Sequence, residues 1–144
     1  MFAWQAVNQE GLPGTGWGIY ARRFNQDLIA IDPEDILINT YTIGHQLMPF
    51  ASSMTNGGIM ICWESYNQLG NMYYSIQCQQ YDKDFVKIGD EMLGVTRLNS
   101  SSSASVGING NEILGLRQSN SKVVIVSSHD RNSDGSGYGL YAQF

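Results

Sequence analysis

Apolar and polar residues alternate with a period of two along most of this chain, and almost nowhere with the 3.6-residue period of an amphipathic helix. β-Branched and aromatic residues dominate the alternating runs, so the chain reads as nearly all β. Three of these runs are versions of one segment, a strand, a polar Gly/Asn-rich turn and a second strand: FAWQAVNQEGLPGTGWGIYARRF from Phe2, IMICWESYNQLGNMYYSIQCQQYD from Ile59 and VVIVSSHDRNSDGSGYGLYAQF from Val123. Laid on one another, they bring Trp4, Trp63 and Ser127 to one position. Trp17, Tyr74 and Tyr138 fall at a second, and Ile19, Ile76 and Leu140 at a third. Repetition on this scale marks an array of one supersecondary unit, with a spacing somewhat above the roughly 40 to 50 residues of a propeller blade.

Between the first two hairpins the pattern predicts strands over Asp35–Thr42 and Gln46–Met54, the latter closed by the turn Thr55-Asn56-Gly57-Gly58. A degraded version follows in Asp90–Thr96, the Ser-rich stretch Leu98–Ser105 and Asn111–Gln118. The expected architecture is one all-β domain over 1–144 made of four-stranded antiparallel, propeller-blade-like units: a half unit at 1–24 and full units at 25–81 and 82–144. Such a set is incomplete alone and cannot close a ring. Open edges then favour pairing with another chain, giving a ring or a filament according to whether the contact closes. Met1 aligns with Met60, inside a strand, and Phe144 falls in the last closing strand. The expectation is a processed portion of a longer precursor, or ends that pair with a neighbouring subunit.

Composition narrows the class. A net charge of −5 with 15% charged residues argues against a phosphate-tracking basic surface, and so against a nucleic-acid partner. No apolar run reaches the length of about 18 residues needed for a membrane-spanning helix, so no membrane insertion is expected. Met1 is followed directly by strand-like sequence rather than by a signal peptide. Polarity carried by Ser, Asn, Gln, Gly and Tyr suits an extracellular or cell-surface protein.

The strings Gly18-Ile-Tyr-Ala-Arg-Arg-Phe-Asn25, Asn39-Thr-Tyr-Thr42, Gln46-Leu-Met-Pro49, Asn56-Gly-Gly58, Trp63-Glu-Ser65 and Asp134-Gly-Ser-Gly-Tyr-Gly-Leu-Tyr-Ala-Gln143 carry a resemblance. Together they resemble a repeat of large secreted or surface proteins of bacteria and ciliates, with the elements GSGxGIYAQxF, VNTxT and NGGFxVxWxS. The resemblance implies a non-enzymatic extracellular β-repeat used in tandem arrays. Ser127 in place of Trp, and the Ser-rich loop in place of VNTxT, depart from the pattern and predict different packing in the last unit.

Candidate chemistry is sparse. Cys62 and Cys78 are placed symmetrically about Gly70, a register that sets them opposite one another on adjacent strands. They are a candidate disulfide, against two buried thiols acting as small hydrophobes. Asp130, Asn132 and Asp134 followed by Gly135 open like a calcium loop but lack the distal carboxylate, so calcium competes with an ordinary Asx turn, and no other cofactor is implied. Asn99 heads the sequon Asn99-Ser100-Ser101, a candidate glycosylation site. Trp17, Tyr74 and Tyr138, with Tyr20, Tyr73 and Tyr141, form an aromatic set suited to stacking on glycans or to packing between sheets. His45 and His129 lack zinc spacing and a nucleophile context, Asp32, Glu34 and Asp35 read as a solvated turn, and Gly14–Gly18 lies between strands with no helix after it. The expectation is a non-catalytic structural or adhesive β-protein that partners itself, with a glycan-binding module as the alternative.

Overall fold

The computed structural model describes residues 1–7, 16–54, 56–70, 74–96, 113–117, 123–129 and 139–143, through the backbone alone from residue 95 onward. The described residues are all β, with no helix, and form three antiparallel sheets. The first joins β1 (Phe2–Val7), β2 (Trp17–Arg22) and β3 (Ile36–Leu37) in that order. The second joins β4 (Gln46–Ser53), β5 (Ile59–Tyr66), β6 (Tyr74–Tyr81) and β7 (Lys87–Thr96). In the third, β9 (Val123–His129) lies between β8 (Ile113–Arg117) and β10 (Gly139–Gln143).

The three hairpins pair in corresponding registers. Ala3 faces Ala21, Cys62 faces Cys78, and Val126 faces Ala142. The two cysteines form a buried disulfide, their Cα atoms 4.0 Å apart, the close spacing of a non-hydrogen-bonded antiparallel pair. Gly70, at φ 71°, turns this hairpin by donating its N–H to the Asn67 carbonyl at 3.0 Å. Two longer connections also match. Asn25 Oδ1 accepts from the N–H groups of Asp27 and Ile29, as Asp82 Oδ1 accepts from those of Asp84 and Val86, and Leu28 and Phe85 take positive φ of 60° and 66°.

The strand expected over Asp35–Thr42 shrinks to two residues. Ile36 and Leu37 pair with β2, so this segment belongs to the sheet of the first hairpin, and sheets and sequence units are out of phase. Beyond it Ile38 turns inward to full burial, and the Asn39 side chain takes over the ladder, its Oδ1 accepting from Ile19 N–H at 2.7 Å. The expected Gln46–Met54 strand is present as β4. It bulges between Leu47 and Phe50, where Met48 sits at φ 52° and Pro49 lacks an N–H, a combination suited to an edge strand. A second bulge lies between β6 and β7, where the buried Gln79 amide donates to the carbonyls of Ile88 and Gly89, both at 3.2 Å. Gly58 ends the β4–β5 turn because a Cβ there would lie 2.4 Å from the Tyr81 carbonyl oxygen.

β5 and β6, the inner strands of the middle sheet, are buried on both faces. Alternation along β5 and β6 sends Ile61, Trp63 and Tyr81 to one face, where they pack against Ile19, Ala21 and Ile38 of the first sheet and its following segment. It sends Met60, Cys62, Ile76 and Cys78 to the other, with Phe50 and Met54 beside them. On the third sheet, β8 approaches β4. The disulfide thus closes a short loop within an already packed cluster. A Cys62→Ala/Cys78→Ala variant should keep the hairpin register and lose about 2–4 kcal/mol of stability, measured by urea unfolding.

Candidate functional site

Arg23, just past β2, ties the first two sheets together. Its guanidinium donates to Asp32 through Nε (2.9 Å to Oδ1) and Nη2, and its backbone N–H donates to Asp32 Oδ2 at 2.7 Å. Nη1 reaches across to the Asp84 carbonyl at 3.0 Å, and the cation lies 5.4 Å from the centre of the Phe85 ring. Phe85 in turn stacks on Tyr81 at 4.2 Å. Asp32 is only 5% exposed, so the solvated turn expected around Asp32, Glu34 and Asp35 holds for the last two alone. Burying a carboxylate is costly unless it is paired, and Arg23 supplies that pairing with three hydrogen-bonding groups. Side-chain hydrogen bonds from Arg23 hold the Asp32 carboxyl below the usual carboxylate range, against the opposing effect of burial.

Further polar ties cross the same interface. Met48 N–H, freed by the bulge, donates to Gln5 Oε1 at 2.6 Å. Lys87 Nζ donates to the Ile38 carbonyl at 3.2 Å, and Thr40 N–H donates to Glu91 Oε1.

The edges of the sheets differ in how they are defended. β4 has Pro49 and a bulge, and β7 has Lys87, Asp90 and Glu91 with its own bulge. β1 has neither charge nor proline. Its outward groups follow from Ile19, whose N–H bonds Asn39 and whose carbonyl accepts from Ile38 N–H at 2.8 Å, both on the side away from β1. The antiparallel partner of Ile19 is Gln5, so Gln5 also directs its N–H and carbonyl away from the ladder, and Ala3 and Val7 do the same. Among the described residues no strand pairs with this side of β1. The counterpart hairpins are flanked there, β5 by β4 and β9 by β8. The opposite flank repeats the situation: β2 and β6 carry β3 and β7, while β10 has no described strand on its outer side.

Trp17 and Tyr74 head β2 and β6, strands of different sheets. Trp17 is 37% exposed opposite Val7, whereas Tyr74 is half-buried with its ring 5.1 Å from that of Tyr66. Tyr20 is buried and stacked on Trp4. Tyr138, Tyr73, Asn99, Asp130, Asn132 and Asp134 lie outside the described residues, and Tyr141 and His129 are described by backbone alone. His45 is exposed beside Gly44, and among the described residues no group of three or more His, Cys, Asp or Glu side chains could hold a metal ion. No helix among the described residues is long and apolar enough to cross a membrane. Compared with protein-family models, curated proteins and solved structures, the chain finds no match.

The Arg23–Asp32 pair sets a pH dependence. A carboxyl whose folded pKa is depressed adds stability that is present above its unfolded value, about 3.9, and lost as pH falls through the folded value. Asp32→Asn should lower stability at neutral pH and remove part of the acid limb below about pH 4, read from unfolding midpoints across pH.

Proposed function

We propose that this chain is a non-catalytic, extracellular structural or adhesive β-protein whose copies join through their strand edges into a higher oligomer or filament. The observation that carries this reading is the outer edge of β1, a six-residue strand without charge or proline with which no described strand pairs, whereas this flank is occupied in both counterpart hairpins. Such an edge pairs with another strand unless it is blocked. The buried Cys62–Cys78 disulfide supports an oxidising compartment, and propeller-like or stacked assembly of blade-like units would make use of the flanks of β1 and β10 with which no described strand pairs.

A second reading, glycan binding at the exposed Trp17 with Tyr74 and Tyr138, has the exposure of Trp17 in its favour. A glycan array without hits removes it.

Light scattering of the isolated chain should give a mass well above one chain. Val7→Pro, which removes an outward N–H donor at an exposed position while leaving the ladder to β2, should shift the population toward monomer with the β circular-dichroism signal retained. A compact, stable monomer of the unaltered chain at micromolar concentration would overturn the proposal.

A further inference from the structure

The outer face of the first sheet is built as a copy of the face by which the second sheet docks onto it. Matching the registers of the two hairpins and the two Asx-bonded turns sets Ile61 on Phe2, Trp63 on Trp4, Tyr81 on Phe24 and Phe85 on Leu28. In the second sheet Ile61, Trp63 and Tyr81 are buried, with Phe85 packed beside them, against Ala3, Ile19, Ala21 and Ile38. In the first sheet Phe2 and Trp4 alternate with Ala3 along β1 and so occupy the opposite face. There Phe2 is 57% exposed, edge-on to Phe24 at 5.3 Å, and Leu28 is 70% exposed, with Ile29 and Ile31 also exposed beside it.

Backbone conformation gives a second, independent sign. Positive φ is unfavourable for a bulky side chain and persists where surrounding contacts hold it. Phe85 has those contacts: Tyr81 stacks on its ring and Arg23 lies over it. Leu28 adopts the same conformation in the same turn, yet its side chain stands in solvent. Asn or Asp would suit that conformation better, so leucine there fits a contact made outside the chain.

We infer that the Phe2, Trp4, Phe24 and Leu28 face of the first sheet receives the third sheet of a second copy of this chain, repeating between molecules the contact already made between the first and second sheets. The inference rests on the self-association proposed above and adds a face-to-face contact to the pairing of edges. The occupant follows from what the internal interface selects, a small and branched apolar set at the positions of Ala3, Ile19 and Ala21. The face with Cys62, Ile76 and Cys78, the counterparts in the second sheet, is already buried. The third sheet places Val126, Leu140 and Ala142 at the same register positions. The contact is also continuous with the internal one, because β1 and β2 form both: one side of this strand pair is the interface between the first two sheets, and the other carries the half-buried Trp4 stacked on the buried Tyr20, with Phe2 exposed at its end. Copies joined in this way associate head to tail, each offering its first sheet to one neighbour and its third to the next.

Benzoylphenylalanine in place of Leu28, in a mixture of isotope-labelled and unlabelled full chains, tests the contact. Photolysis followed by mass spectrometry should give crosslinks between differently labelled chains that map to residues 123–143. Leu28→Asp and Phe2→Asp, both at exposed positions, should keep the monomer fold by circular dichroism and weaken association about tenfold or more by sedimentation. Crosslinks to any other segment, or to another protein, or unchanged association in both variants, would overturn this inference while self-association through edges stands. A chain that sediments only as monomer would overturn both.

Discussion

The burial of Trp63 between the first two sheets is the contact on which the rest of the described structure depends. An indole at zero exposure needs room on the facing sheet, and Ala3 and Ala21, paired across β1 and β2, supply it while Ile19 and Ile38 fill the flanks. The shape of β3 follows. Ile36 and Ile38 both face this cluster, Ile38 N–H donates to the Ile19 carbonyl, and beyond it the Asn39 side chain accepts from Ile19 N–H in place of a third strand residue. Burial of large apolar side chains is the main favourable term here, and most of the local irregularities accommodate it.

Polar groups then fix the relative position of the two sheets. Gln5 with Met48, Lys87 with Ile38, Glu91 with Thr40, and Arg23 with Asp84 each join a group on one sheet, or on its following segment, to one on the other. Apolar packing alone is non-directional, whereas these bonds specify register and orientation. Two of them use backbone groups released by irregularity, the Met48 amide at its bulge and the Ile38 carbonyl beyond the end of β3. The first sheet is thereby tied to the second at several points along its inner side.

The disulfide is buried among Met60 and Ile76, and the ion pair of Arg23 with the buried Asp32 secures a loop against the neighbouring sheet. Surfaces distinguish one part of the chain from another: edges blunted by proline, charge or bulges on β4 and β7, and an edge left plain on β1.

Local alternation and turn chemistry were enough to read most of the strands, because period-two patterning and Asn/Gly turns act within a few residues. The all-β class, the β5–β6 hairpin and the Cys62–Cys78 pairing were legible for that reason, the last from symmetry about Gly70. Which sheet each strand joins was not legible. Ile36 and Leu37 look like the opening of the unit that follows them, and only the packing of Ile38 against Ile19 and Trp63 assigns them to the hairpin before. Asp32 beside Glu34 and Asp35 likewise reads as a solvated turn, and its burial depends on Arg23, brought to it when the chain doubles back after β2. The sequence by itself determined the all-β class and where most strands turn; the tertiary structure decided which faces meet, because burial and edge pairing depend on neighbours far away along the chain.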